Sequence, residues 1–237
     1  MVAAPPNDSV GIEVRELSKR LRGKEVLGSV NLVVPRGTVC AIEGRNGAGK
    51  TTLVRILATV MSPDSGTARI NGYDTESHGL AVRRSIGVSF ANERSLYWRL
   101  NAYQNLQFFG RIAGMPKASV AARSTLLLEE LNLTAVADGQ VARMSTGQRQ
   151  RLMLARALLT EPVVTLLDEP FRGLDDDGIH LLKRVIARLK ESGNTVLVVA
   201  PMIRGLDWVA DSMHRLEGGV IRTIDKSESD GSASELS

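Results

Sequence analysis

Gly44-Arg45-Asn46-Gly47-Ala48-Gly49-Lys50-Thr51-Thr52 fits the phosphate-binding pattern G-x-x-x-x-G-K-[ST]. Each position has a physical reason. The glycines let backbone N–H groups close around an anion, Lys50 reaches outer phosphates as a point charge, and the Thr51 hydroxyl suits a magnesium ion. The flanks agree. Thr38-Val39-Cys40-Ala41-Ile42 reads as a short buried strand, and Leu53, Ile56, Leu57 and Val60 follow at helical spacing. A loop between that strand and that helix sets bound phosphate on a helix N-terminus, where about half a positive charge is concentrated. An ordinary glycine-rich turn would not need this strand–loop–helix context. The stretch points to a nucleotide.

Working outward, the 237 residues suffice for one large α/β domain or two small ones. Lys and Arg total 30 against 26 Asp and Glu, but the cations are scattered and the few aromatics do not interleave with them, so a solvated surface is expected and no nucleic-acid partner. Cys40, the single cysteine, excludes an internal disulfide and a cysteine metal cluster, and its apolar strand makes it a core residue. The start lacks the basic and apolar regions of a signal peptide, and no run approaches the roughly 20 apolar residues of a membrane span. Work at a membrane is therefore expected from the aqueous side, through a partner.

Residues 1–10 read as a loose arm. Gly11–Leu17 alternates as a half-exposed strand, Val26-Leu27 and Val30–Val34 continue the β-rich region, and Ala68–Asn71 and Ile86–Phe90 read as further strands. From Asn101 to Leu133 the chain is helix-prone, broken at Gly114-Met115-Pro116. After Ser145-Thr146-Gly147-Gln148, a helix carries Leu152, Ala155 and Leu159 on one face. Val163–Leu167 and Thr195–Ala200 are continuous apolar runs, as parallel strands covered on both faces are. Ile179, Leu182, Val185, Ile186 and Leu189 mark a helix between them, and 226–237 reads as a disordered, Ser- and acid-rich tail.

The Val163–Leu167 run ends in Asp168-Glu169-Pro170. Beside a phosphate loop, a carboxylate at a buried strand end is where such enzymes hold magnesium, so Asp168 is the metal candidate with Thr51. Glu169 is the candidate base for an attacking water. Alone, these would be two solvated acids in a turn. Ser145 is a good N-cap, and its helix start is an anion site 23 positions before Asp168.

Taken together the chain resembles the nucleotide-binding subunit of ATP-binding cassette (ABC) transporters. The matching residues are Gly44–Thr52, the Ser145–Gln148 signature, the Val163–Glu169 strand with its terminal acids, Gly173-Leu174-Asp175, and the Asp64-Ser65-Gly66…Gly72 turn. The resemblance covers nearly the whole chain. It implies a RecA-like α/β P-loop core, an N-terminal antiparallel β subdomain and a helical subdomain near residues 92–158, together a nucleotide-binding domain over 11–225. It implies ATP and Mg2+ as ligands, with Gly44, Arg45, Asn46, Gly47, Ala48, Gly49, Lys50, Thr51 and Thr52 binding ATP and Lys50 and Glu169 catalytic. It also implies a head-to-tail dimer in which Ser145, Thr146, Gly147 and Gln148 reach the partner's nucleotide and Asp175 contacts the partner. The pattern from Glu93 to Leu100 looks like exporters with a separate transmembrane permease subunit, which would hold this chain at the cytoplasmic face of the membrane.

Three departures qualify this. Leu21 stands where the family has an aromatic that stacks on adenine, a contact worth about 1–3 kcal/mol. Ala91 or Asn92 stands at the family's glutamine, and Asn92 or Glu93 can still address the metal or the water. Pro201 stands where the family's histidine contacts the γ-phosphate; His180 and His214 are too distant in sequence to align and read as surface residues. Losing one transition-state donor costs about 2.7–4 kcal/mol, so slow hydrolysis is expected at this site. That asymmetry fits a heterodimer with a second ATPase chain, though homodimers with impaired sites exist. Asp176 and Asp177 read as charge–dipole partners of a helix start. Phe108 and Phe109 fit either a groove for a membrane subunit or core packing, while Tyr97 and Trp98, beside Arg94 and Arg99, fit docking better. A soluble ABC ATPase or a regulatory nucleotide-binding subunit is the alternative function.

Overall fold

A computed structural model describes residues 9–90, 96–203 and 205–225. The sequence readings on 1–8, on the tail and on Ala91, Asn92, Glu93 and Arg94 lie outside these residues. The phosphate loop sits at the centre of a six-stranded sheet. Its strands are β3 (Val39–Glu43), β6 (Ile86–Ser89), β7 (Val164–Asp168), β8 (Thr195–Ala200), β9 (Ser212–Glu217) and β10 (Val220–Thr223). They lie in the order β10-β9-β3-β8-β7-β6, parallel except for the β9–β10 hairpin. Every residue of β3, β7 and β8 is buried, which is why these three were legible as apolar runs.

One face of this sheet is covered by α1 (Lys50–Leu57) and a second, antiparallel sheet. That sheet joins β1 (Val10–Leu21), β2 (Lys24–Pro35), β4 (Ser65–Ile70) and β5 (Tyr73–Asp74) in the order β2-β1-β4-β5. Ile12, Val14, Leu32 and Val34 from it share a core with Leu53, Ile56 and Leu57 of α1. β1 begins at Val10, inside the stretch expected as an arm. The short α2 (Gly79–Ser85), which buries only Val82, leads into β6.

The opposite face carries α3 (Ala102–Ile112), α4 (Lys117–Glu130), α5 (Thr146–Leu158) and α6 (Asp176–Glu191). Leu106, Leu127, Leu128, Met153 and Leu158 pack there with Leu182, Val185 and Ile186 of α6. The break expected at 114–116 separates α3 from α4. Gly87 in β6 lies so close to the Ala157 carbonyl of α5 that a side chain there would collide with backbone. β9, β10, β5 and α2 were not anticipated from sequence.

Candidate functional site

The site is assembled where three strands end. β3 delivers the loop Gly44–Gly49, and α1 starts at Lys50. Gly49 takes φ 109°, and a Cβ on it would lie 2.6 Å from the Val26 carbonyl, so only glycine lets the loop turn this tightly under the β2 strand. Lys50 is 4% exposed, and its ammonium donates to the carbonyls of Gly44 at 2.6 Å and Arg45 at 3.1 Å. Burial lowers its pKa, opposed by the carboxylates of Glu169 and Asp168. The result is a buried cation tied to the carbonyls of its own loop.

β7 delivers the acids. Asp168 is 1% exposed, and Thr51 Oγ1 donates to its Oδ1 at 3.2 Å. Its Oδ2 is buried with no partner among the described residues. Burial raises the Asp168 pKa, the Thr51 hydrogen bond lowers it, and the Glu169 charge raises it further. A buried carboxylate with a spare oxygen beside a hydroxyl is the donor set of a hard divalent cation, so these residues fit magnesium. Glu169 has φ 50°, a left-handed conformation rare outside glycine, and its N–H donates to the Val199 carbonyl at 2.7 Å. This turn sets its side chain on the cleft wall while Asp168 stays inside.

The cleft has a volume of about 880 Å3 and is lined by Leu21, Asn46, Lys50, Thr51, Glu169 and Pro201, among others. That lies within the range of about 300–1,000 Å3 usual for ligand sites. Leu21 and Val26 make an apolar wall, and Pro201 brings no side-chain donor. The two positions that depart from the family pattern and are described, Leu21 and Pro201, therefore do face this cleft. His214 sits on β9, half-buried, its Nδ1 3.3 Å from Thr223 Oγ1, with burial lowering its pKa. It is not the surface residue expected, and neither it nor the exposed His180 lines the cleft. Cys40 is fully buried and its thiol is pushed up to about 12, which leaves it a core residue.

The signature does not line the same cleft. Ser145 caps α5: its Oγ accepts from the Gln148 N–H at 3.1 Å, and Gln148 Oε1 accepts from the Ser145 N–H at 2.8 Å. This reciprocal box exposes the start of α5 outward. Beneath it runs Gly173-Leu174; a Cβ on Gly173 would sit 2.6 Å from Thr146 Cγ2. Asp175 is committed to capping α6, accepting from the Gly178 N–H at 2.9 Å, and Asp176 and Asp177 fill the first turn of that helix.

On the helical layer an aromatic patch faces out, with Tyr97 48%, Trp98 44% and Phe108 38% exposed. Tyr97 and Phe108 meet edge to face at 4.6 Å between ring centres. Phe109 packs inward against the core, under the Arg156 guanidinium. Thus Phe108 belongs to the surface and Phe109 to the packing. The Arg149 guanidinium lies 5.2 Å over Trp98 and bonds to Thr146 Oγ1 at 3.3 Å, joining the patch to the signature loop. Sequence reasoning missed Asn105, which is fully buried and clamps the Tyr97 backbone through an accepted bond of 2.8 Å and a donated one of 3.0 Å. It also missed Phe171, Arg172 and Met202 on the cleft wall. Polar Asn105 gave no periodic signal, and wall residues from separate loops have none.

Among known proteins, the family described as ABC transporter matches residues 27–172, more than half of the chain. The ABC transporter ATP-binding protein NatA of Bacillus subtilis is 32% identical over 214 residues, 89% of this chain and 87% of its own length. The daunorubicin resistance ATP-binding protein DrrA3 of Streptomyces coeruleorubidus is 38% identical across 95% of this chain and 69% of its own. A sulfate/thiosulfate import ATP-binding protein of Pseudomonas putida is 36% identical over 91% of this chain and 66% of its own. In structure, the ATP-binding subunit of an ABC transporter superposes with a TM-score of 0.82 at 31% identity, over 91% of this chain and 90% of that one. A dimeric bacterial ABC transporter cassette gives 0.82 at 25% identity, over 91% and 98%. This chain therefore belongs to the ABC transporter family as an ATP-binding subunit.

Proposed function

We propose that the chain is the ATP-binding subunit of an exporter, bound to the cytoplasmic face of the membrane through a separate transmembrane permease subunit, and that its own site turns ATP over slowly. The carrying observation is the cleft itself. It joins a complete Lys50–Thr51–Asp168–Glu169 group to a wall on which Pro201 has no donor and Leu21 no aromatic ring. The residues Gly44–Thr52 hold the phosphates, with backbone amides and Lys50 supplying positive charge. Thr51 and Asp168 hold Mg2+, which when bound neutralises phosphate charge. Glu169 accepts the proton of the attacking water. Ser145–Gln148, outside this cleft, serve the partner's nucleotide, and Asp175 marks the loop between the two chains. The dimer is with itself or, as the uneven site favours, with a second ABC ATPase chain.

Relatives named for drug resistance, and a Ralstonia nicotianae relative named for Nod factor export, support export over import. The outward Tyr97–Trp98–Phe108 patch supports a docked permease, and no helix among the described residues is long and apolar enough to cross a membrane itself. Purification of the chain from its own cell tests this reading: a membrane protein should copurify, and Trp98→Ala with Tyr97→Ala should release it. Recovery as a soluble chain whose ATPase responds to RNA or DNA would favour the non-transport alternative.

A further inference from the structure

Resting on that reading of the cleft, a second cation demands a role. Arg172 lines the cleft together with Lys50 and Glu169, and Arg172 and Lys50 are its only Lys or Arg side chains among the described residues. The Arg172 N–H donates to the Glu169 carbonyl at 3.2 Å, so the turn through Pro170 ties it to the strand end that carries both acids. Its guanidinium is exposed and makes no hydrogen bond or ion pair with the described residues. Other arginines near carboxylates behave differently: Arg215 holds Glu43 at 2.6 Å, and Arg188 holds Glu130 at 2.6 Å.

The two cleft cations are unlike. Lys50 is a point charge tied to the loop carbonyls, buried under the α1 start. Arg172 presents a planar fork with no partner among the described residues, the group best suited to grip two oxygens of one phosphate. Its position follows from its attachments. Asp168 touches Thr51, Glu169 follows Asp168, and the Arg172 N–H is bonded to the Glu169 carbonyl, so Arg172 belongs to the acid-bearing end of the cleft. Pro201, on the remaining wall, offers nothing to a terminal phosphate.

We propose that Arg172 binds the terminal phosphate of a nucleoside triphosphate in this chain's own cleft, and so makes the site discriminate triphosphate from diphosphate. The competing picture is a solvated surface arginine with no selective effect on binding.

The test is calorimetric titration of the full chain with magnesium and either a β,γ-imido ATP analogue or ADP, which reads binding without turnover. Arg172→Ala should weaken the triphosphate by about tenfold or more, the usual loss of a charged hydrogen bond, and ADP by less than about twofold. Arg172→Lys should recover part of the loss. Triphosphate affinity unchanged in Arg172→Ala, or ADP weakened as much as the triphosphate, would overturn the proposal. If thermal melting shows Arg172→Ala misfolded, Arg172→Lys decides: selective weakening supports the fork, and no change for either nucleotide refutes it. Lys50→Ala separates the two levels. Loss of both nucleotides there with no effect at Arg172 sinks this inference alone, whereas a wild-type chain that binds neither sinks the reading of the cleft as well.

Discussion

Asp168→Asn should raise the stability of the nucleotide-free chain while removing its response to Mg-ATP. Asp168 is buried with one oxygen bonded to Thr51 and the other without a partner among the described residues. Burial outweighs the Thr51 bond and the Lys50 charge, so the ionised carboxylate is disfavoured there relative to water. Asparagine removes that charge. A buried unsatisfied group costs about 1–3 kcal/mol, more when charged. The amide nitrogen would itself lack a partner, so the net gain is about 1 kcal/mol, or about 2–4 °C in melting temperature for a chain of this size. Saturating wild type at about a hundred times Kd should add about 2.7 kcal/mol, and the variant should lose most of that.

The pH dependence carries the same sign. The folded pKa of Asp168 lies above its ordinary 3.8, so the folded state binds the proton more tightly. This group's contribution to stability is therefore greatest below 3.8 and declines as pH rises through the folded pKa. The Asp168→Asn variant should flatten that part of the profile. Differential scanning fluorimetry with and without Mg-ATP, across pH, measures all of this. A lower melting temperature for the free variant, or an undiminished Mg-ATP shift, would refute the reasoning.

Gly49→Ala should destabilise the chain by about 1–3 kcal/mol through its left-handed φ alone; the approach to the Val26 carbonyl adds to this, and nucleotide binding should be lost in the same titration. Asn105→Ala removes three hydrogen bonds to the Tyr97 and Asn101 backbone. Urea unfolding should show a loss of about 2–4 kcal/mol. Pro201→His gives the cleft wall a donor at an exposed position whose nitrogen donates no hydrogen bond, so folding should be retained. ATP turnover should rise by as much as about a hundredfold; an unchanged rate would mean that Pro201 does not limit the site.

The parts of this fold legible in sequence are those whose burial is complete or whose chemistry is local. β3, β7 and β8 are covered on both faces and read as apolar runs, and the Ser145 cap needs only Gln148 three residues on. β9 was not legible because it carries His214 and Arg215 near the sheet edge. Arg215 is satisfied there by Glu43, 172 residues away in the chain, which no local pattern reveals. α2 starts without a side-chain cap and buries one residue, so neither signal of a helix was present. Asn105 interrupts an apolar face on α3, and only the Tyr97 turn brought against it explains why. At the site, the loop and both acids were readable as motifs, but the rest of the lining comes from segments that carry no motif of their own. Phe171 and Arg172 follow the acids on the same turn and Met202 follows β8, and no local pattern marks any of them as lining the cleft.

The cleft is proposed to hold ATP well and to hydrolyse it slowly. Occupancy and turnover should be measured on one preparation of the purified chain, by titration with Mg-ATP and by phosphate release, beside Glu169→Gln. Near-stoichiometric binding is expected in both proteins, with wild-type turnover below about 0.1 s−1, under the roughly 1–1,000 s−1 usual for enzymes. Brisk turnover by the chain alone that Glu169→Gln abolishes would contradict this reading, as would failure to bind Mg-ATP.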